Sequence, residues 1–141
     1  MKSIQDCIKF ANENPICFLA TVEDDQPRVR ALGFWFADKT GFYFQTSTTK
    51  NFYRHLKQNP NTEVCFYKHK EMIGTMLRIC GKVEFLDDIK LKEKVLEDRP
   101  FLKDFGVTAE TPGLVVFRIP RGEARFWTME NIFKPRKSIV F

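Results

Sequence analysis

Apolar positions along this chain change period several times, and each change marks a boundary. Near the N-terminus Ile4, Cys7, Ile8 and Ala11 fall at i, i+3, i+4 and i+7, the stripe of an amphipathic helix. Ser3 is placed to cap it, with Asp6 three residues on as a weaker version of the capping-box acid, and Asn14-Pro15 ends it. Ile16 to Val22 is then apolar and extended, and Glu23-Asp24-Asp25-Gln26-Pro27 reads as a polar turn. A second strand is expected over Arg28 to Phe36, where two-residue alternation puts Arg28, Arg30, Leu32, Phe34 and Phe36 on one face. Asp38-Lys39-Thr40-Gly41 has hairpin-turn chemistry and leads to a third strand, Phe42 to Thr46.

A hydroxyl-rich stretch, Thr46 to Asn51, leads into a short helix with Phe52, Tyr53 and Leu56 on its apolar side, ended by Asn59-Pro60. Thr62 to Tyr67 reads as a strand and His69 to Gly74 as a loop. Thr75 to Phe85 reads as a long strand with Leu77, Ile79, Gly81, Val83 and Phe85 facing the core, and Gly81 marks a bulge or bend. Asp87 or Asp88 caps a helix carrying Leu91, Val95 and Leu96, and Phe101 to Phe105 suits a further helical turn. Leu114 to Ile119 and Gly122 to Thr128 are the last long strands, and the basic tail ends in Ile139-Val140-Phe141, suited to an added edge strand. Six or seven strands with inserted helices predict a small antiparallel barrel, with a sandwich as the alternative. No repeat or low-complexity linker divides the chain, so one domain over residues 1–141 is expected.

Composition supports this picture. The chain of 141 residues is 43% hydrophobic and carries 15 phenylalanines spread along its length, favouring pleated, half-buried surfaces. No apolar run approaches the ~20 residues that span a bilayer. Asp6, Lys9 and Glu13 interrupt the N-terminal apolar stretches, unlike a secretory signal, so a cytoplasmic protein is expected. Cys7, Cys17, Cys65 and Cys80 show neither CxxC nor metal-ligand spacing and read as core thiols.

The net charge of +5 and isoelectric point near 9.1 suit an anionic partner. Two bases stand out. Arg30 lies on the second strand and Lys50 at the entrance to the helix after the third. If those two strands pair as a hairpin, Arg30 approaches Thr46 and the loop up to Lys50. A guanidinium, an ammonium, several hydroxyls and a helix N-terminus would then suit a phosphate dianion. In the competing reading Thr46 to Thr49 merely cap the helix and both bases are solvated. His55 and His69 read as surface residues, and no Ser-His-Asp or paired-carboxylate set supports hydrolysis.

Ala20-Thr21-Val22, Gln26 to Ala31, Gly41-Phe42-Tyr43-Phe44-Gln45-Thr46-Ser47, Lys50 and Asn59-Pro60 together resemble the pyridoxamine 5′-phosphate oxidase-like superfamily. The likeness is greatest to its short members related to nitroimidazole reductases. Leu77 to Val83 resembles that family's R-x-x-G strand and Glu123 to Trp127 its terminal strand. The resemblance implies a mainly β protein with inserted helices, a six- to seven-stranded antiparallel split β-barrel, forming a homodimer with FMN in clefts between subunits. Carried over by position, Arg30 and Lys50 hold the FMN phosphate with help from Thr49. Gln45 and Thr46 lie along the ring and ribityl chain, Ala31 and Leu32 pass the flavin edge, and Trp127 approaches from the other subunit. Trp127 also shares a strand face with Glu123 and Arg125, where a large aromatic suits an interface or ligand. The strand positions Gly33, Phe34 and Trp35, and last strands without histidine, depart from full-length vitamin B6 oxidases.

Three functional classes follow. The first is an FMN-dependent oxidoreductase acting on a small organic molecule, with a nicotinamide donor docking transiently. The second is a non-catalytic flavin- or haem-binding module, the haem variant needing His55 or His69 as ligand. The third, a nucleic-acid-binding barrel, lacks a basic stripe interleaved with aromatics. Deazaflavin in place of FMN is left open.

Overall fold

A computed structural model describes residues 2–141. Helix α1 (Ile4–Glu13) begins on the expected capping box: Asp6 N–H donates to Ser3 Oγ at 3.4 Å, and Ser3 N–H donates to the Asp6 carboxylate at 2.7 Å. Closing both donors in this way contributes about 1 kcal/mol. The helix buries Cys7 and Ala11 over one end of the core.

Strands β1 (Ile16–Glu23) and β2 (Gln26–Gly33) form a hairpin whose turn is only Asp24-Asp25, both at positive φ (46° and 67°). Such a tight turn matches the twist of the strands, and aspartate tolerates the left-handed region. There follow β3 (Phe36–Asp38), β4 (Gly41–Ser47), α2 (Asn51–Gln58), β5 (Asn61–Lys68), β6 (Thr75–Lys82), β7 (Glu84–Leu86), α3 (Ile89–Asp98), α4 (Phe101–Asp104), β8 (Leu114–Ile119), β9 (Gly122–Trp127) and β10 (Ile139–Val140). Two antiparallel sheets result, β10-β9-β6-β5-β1-β2 and β3-β4-β8-β7. This is a split β-barrel with inserted helices.

Two expected strands are each divided. The run Arg28 to Phe36 breaks at Phe34-Trp35, and Thr75 to Phe85 breaks at Val83. At each break the chain leaves the six-stranded sheet for the four-stranded one. The Phe34 N–H turns to Pro15 O at 2.5 Å and the Val83 N–H to Pro60 O at 2.9 Å, so the corners keep their donors bonded. Among the described residues the chain thus has ten strands where seven and a tail were expected. Gly81 lies two residues before the second corner. A Cβ there would sit 2.5 Å from Arg121 O and 2.7 Å from Ile119 Cγ2, so the close approach to the β8–β9 turn excludes a side chain.

Between the sheets Phe34 meets Phe44 and Phe66 edge-on at 5.2 and 4.9 Å, and Phe44 stacks on Phe117 at 4.9 Å. Outside the four-stranded sheet, Val95 of α3 packs with Leu114 and Val116, flanked by Trp35 and Leu102. α1 is tied to β3 through Asn12, which donates to Ala37 O at 3.0 Å and accepts from Ala37 N–H at 2.8 Å. The tail adds β10 to β9, as expected. No helix among the described residues is long and apolar enough to cross a membrane.

Candidate functional site

The sequence placed Arg30 beside Thr46 through a hairpin of the second and third strands, and the structure corrects this. β2 pairs with β1 along its whole length, Arg30 opposite Leu19. Only Phe36–Asp38 pairs with β4, opposite Tyr43, Phe42 and Gly41. What reaches Arg30 is α2. The guanidinium carbon lies 5.3 Å from the Phe52 ring centroid, one residue into the helix that Lys50 precedes as N-cap. Arg30 Nη1 donates to Leu19 O at 3.1 Å and to Thr21 Oγ1 at 2.8 Å. Burial lowers its pKa from the ordinary arginine value, yet guanidinium stays charged at any working pH.

Behind Arg30 lies a polar network. His55 is buried at 3% exposure, not on the surface as expected from sequence. Its Nδ1 is 2.9 Å from Thr21 Oγ1, and its Nε2 is 3.3 Å from Glu23 Oε2 without hydrogen-bond alignment. Thr21 Oγ1 accepts from Arg30, so its own proton is free to go to Nδ1. That assigns the remaining imidazole proton to Nε2, facing the carboxylate. Glu23 also meets Arg54 at 2.8 Å and Arg28 at 3.2 Å. The Arg54 hydrogen bond, with His55 and Arg28 beside it, holds the Glu23 carboxyl below the usual carboxylate range.

The entrance to α2 is open. Lys50 caps the helix with extended backbone, and no side chain caps its first turn. The Thr46 to Thr49 hydroxyls therefore do not do that work. Ser47 Oγ instead accepts from Thr49 N–H at 3.1 Å and contacts Thr49 Oγ1 at 2.6 Å, while Thr48 N–H donates to Gly113 O at 3.0 Å. The loop is held in place, Tyr53 N–H donates to Lys50 O at 3.1 Å, and the helix dipole at this end favours an anion. Among the described residues neither Arg30 nor Lys50 is paired with a carboxylate, whereas Arg28 and Arg54 both are. Two unpaired cations therefore flank an uncapped helix start.

A family model for pyridoxamine 5′-phosphate oxidase matches residues 4–128. The chain belongs to the pyridoxamine 5′-phosphate oxidase family. No curated protein is significantly similar to it in sequence. Among solved structures it is similar to a NimC/NimA family protein from Clostridium acetobutylicum, at 26% identity and TM-score 0.80, over 97% of this chain and 92% of that one. A FAD-binding protein from Mesorhizobium loti aligns at 22% identity and TM-score 0.69, over 89% of this chain and 92% of the other. The haem storage protein HutZ from Vibrio cholerae aligns at 16% identity and TM-score 0.67, over 91% and 95%. The last two likenesses concern the fold alone.

In this member of the oxidase family the remaining candidate residues are spread out. Gln45 is half-buried and Thr46 buried on β4, opposite Val116 and Val115 of β8; Thr49 is exposed beside Ser47. Ala31 is exposed on the outer face of β2 opposite Phe18, while Leu32 packs against the core. Trp127 ends β9, four strand spacings from β2 in the sheet order. At about 4.8 Å per spacing that is roughly 19 Å, too far for Trp127 to join Arg30 within one protomer. Thr21, Glu23 and His55 were missed from sequence. The available signal was position: Phe52, His55 and Leu56 share one helical stripe, and all three are buried.

Proposed function

We propose that this chain binds FMN in a homodimer and works as an oxidoreductase on a small organic compound. The observation that carries the reading is the pair of unpaired cations, Arg30 and Lys50, beside the uncapped start of α2. A phosphate dianion needs such a constellation, and each charge-assisted hydrogen bond contributes about 1.5–3 kcal/mol. Family membership and the likeness to a FAD-binding protein support a flavin. A bound flavin would supply two-electron redox chemistry at its ring, with a nicotinamide as the donor class. Arg30 and Lys50 neutralise the phosphate, and the first N–H groups of α2 donate to it. Thr21, itself bonded to His55, fixes the guanidinium so that little ordering remains to be done on binding. The family resemblance would set Gln45, Thr46 and the β2 backbone at Ala31 and Leu32 along the ring and ribityl chain, with Thr49 assisting at the phosphate.

The dimer is supported by the outer face of the six-stranded sheet. Ile16, Phe18 and Val29 are 63%, 43% and 70% exposed there. Register places Phe18 beside Ala31, and Ala20 beside Val29, so these residues form one apolar patch. A second copy on this face buries the patch and brings the partner's Trp127 towards the cleft. Four cysteines without disulfides fit a reducing cytoplasm.

Haem binding is the less favoured reading, although HutZ shares the fold. His55 is buried and engaged with Thr21 and Glu23, which leaves exposed His69 as the ligand that reading would need. Absorbance of the purified protein, before and after FMN addition and desalting, tests the proposal. Flavin bands at about one FMN per chain are expected from one phosphate site per protomer. A Soret band without flavin retention would favour haem.

A further inference from the structure

The guanidinium of Arg30 carries five N–H donors in a rigid plane, and the fold uses them edge by edge. Nη1 donates to Leu19 O at 3.1 Å and to Thr21 Oγ1 at 2.8 Å, and Nη2 faces His55 Nδ1 at 3.5 Å. Those contacts occupy the Nη1 side and the end of the group. Among the described residues neither Nε–H nor the second Nη2–H meets an acceptor. Nε–H and that Nη2–H are the parallel pair through which arginine grips a phosphate or carboxylate with two bonds. The edge suited to a dianion is the one the protein leaves open.

Two residues on one face of α2 hold the guanidinium in that orientation. The Phe52 ring centroid lies 5.3 Å from its central carbon, and His55, three positions along the helix, meets its end. His55 accepts there only while Nδ1 carries no proton. Glu23 Oε2, 3.3 Å from Nε2, draws the ring proton to the far nitrogen, and Arg28 and Arg54 hold that carboxylate in place. A proton on Nδ1 would aim a donor at Arg30 and compete with it for the Thr21 oxygen.

We propose that His55 is the positioning residue of the phosphate site. Its unprotonated Nδ1, together with Thr21, occupies the end of the guanidinium and turns the Nε–Nη2 edge towards the ligand. This role rests on the phosphate reading of Arg30 and Lys50.

Two polar substitutions separate the ring's two nitrogens. H55N sets an amide oxygen where Nδ1 stands, whereas H55Q reaches the Nε2 position and leaves Nδ1 unreplaced. H55Q should weaken FMN binding about fivefold and leave riboflavin, which lacks the phosphate, bound as in wild type. H55N should recover FMN affinity to within about twofold of wild type. Equal FMN affinity in the two variants, retained or lost, overturns the role, as does an equal loss for riboflavin. Long-range proton–nitrogen NMR spectra of the wild-type protein need no variant to fold. His55 is expected as the Nε2–H tautomer, and a ring with its proton on Nδ1 overturns the role. If wild type binds neither flavin, inorganic phosphate is titrated into the same proteins. Weaker phosphate binding by H55Q alone would keep the role and refute the flavin reading, and equal binding would overturn the role as well.

Discussion

Two groups of cations stand at opposite margins of the six-stranded sheet, and they are held differently. At the β2 margin, Arg28 and Arg54 gather on one carboxylate, Glu23, with the His55 ring beside it, while Arg30 is fixed by neutral acceptors, Thr21 Oγ1 and Leu19 O. At the tail margin, Lys2, Lys134, Arg136 and Lys137 extend from exposed backbone round an open cavity, and the acid nearest them is committed to Ser3. The first arrangement orders one cation before any ligand arrives, as a fixed-geometry phosphate site needs. The second supplies field and reach with little ordering.

The sharpest way to break this contrast is at Arg30. R30A should weaken FMN binding about 30-fold, equivalent to about 2 kcal/mol, while the protein stays folded. Next comes Thr21. T21V keeps the shape but strips a buried hydroxyl from both Arg30 and His55, which should cost about 1–3 kcal/mol in urea unfolding. T21S should recover most of that loss, and a T21V protein as stable as wild type would show that the network orders nothing. K50A, at an exposed position, should lower FMN affinity only about fivefold, near 1 kcal/mol.

Acid tests the same margin. The folded Glu23 pKa is depressed, so its contribution to stability is present above the unfolded value and is lost as pH falls through the folded one. Unfolding midpoints should decline on acidification below the ordinary glutamate range, and E23Q should flatten that slope. The thiols carry the opposite sign. Burial pushes Cys17 up to about 12, so its contribution is intact below the unfolded thiol pKa and is lost as pH climbs from there through the folded value. At pH 8, alkylation of the native protein should reach half-exposed Cys65 and Cys80 before Cys7 and Cys17, as mass spectrometry of labelled peptides would show. The smallest effect is expected at the tail, where K134A/R136A/K137A should change stability by less than about 0.5 kcal/mol.

Much of the fold was legible because local rules and tertiary demands agree. Ser3 and Asp6 announce α1, and Asp88 caps α3 by accepting from Lys90 N–H at 2.9 Å. The corners were not legible. Ile79, Gly81, Val83 and Phe85 keep their alternation across a change of sheet, so period alone carries no sign of that switch. At the first corner the alternation in the sequence misleads: Phe34 faces the core, but Phe36 turns to the outer side and stacks on Tyr43 at 4.6 Å, and Ala37 takes the core position. The hairpin misplacement had the same origin, since a strand read as continuous was paired along its length. Arg30 stood out in the sequence by its place on the second strand and by the family resemblance, but the neighbours expected for it, Thr46 and its loop, came from a hairpin that the register replaces with pairing to β1. The Glu23–His55–Thr21 network was not. It joins β1 to α2 across more than thirty positions, as the Thr21–His55 separation of 34 shows.

The most direct test is an FMN titration of wild type and R30A, followed by flavin absorbance after desalting. Wild type is predicted to retain about one FMN per chain, and R30A to lose it while remaining folded, as expected where a charge-assisted phosphate contact is removed. Equal retention by both proteins, or retention by neither, would contradict a phosphate site built on Arg30.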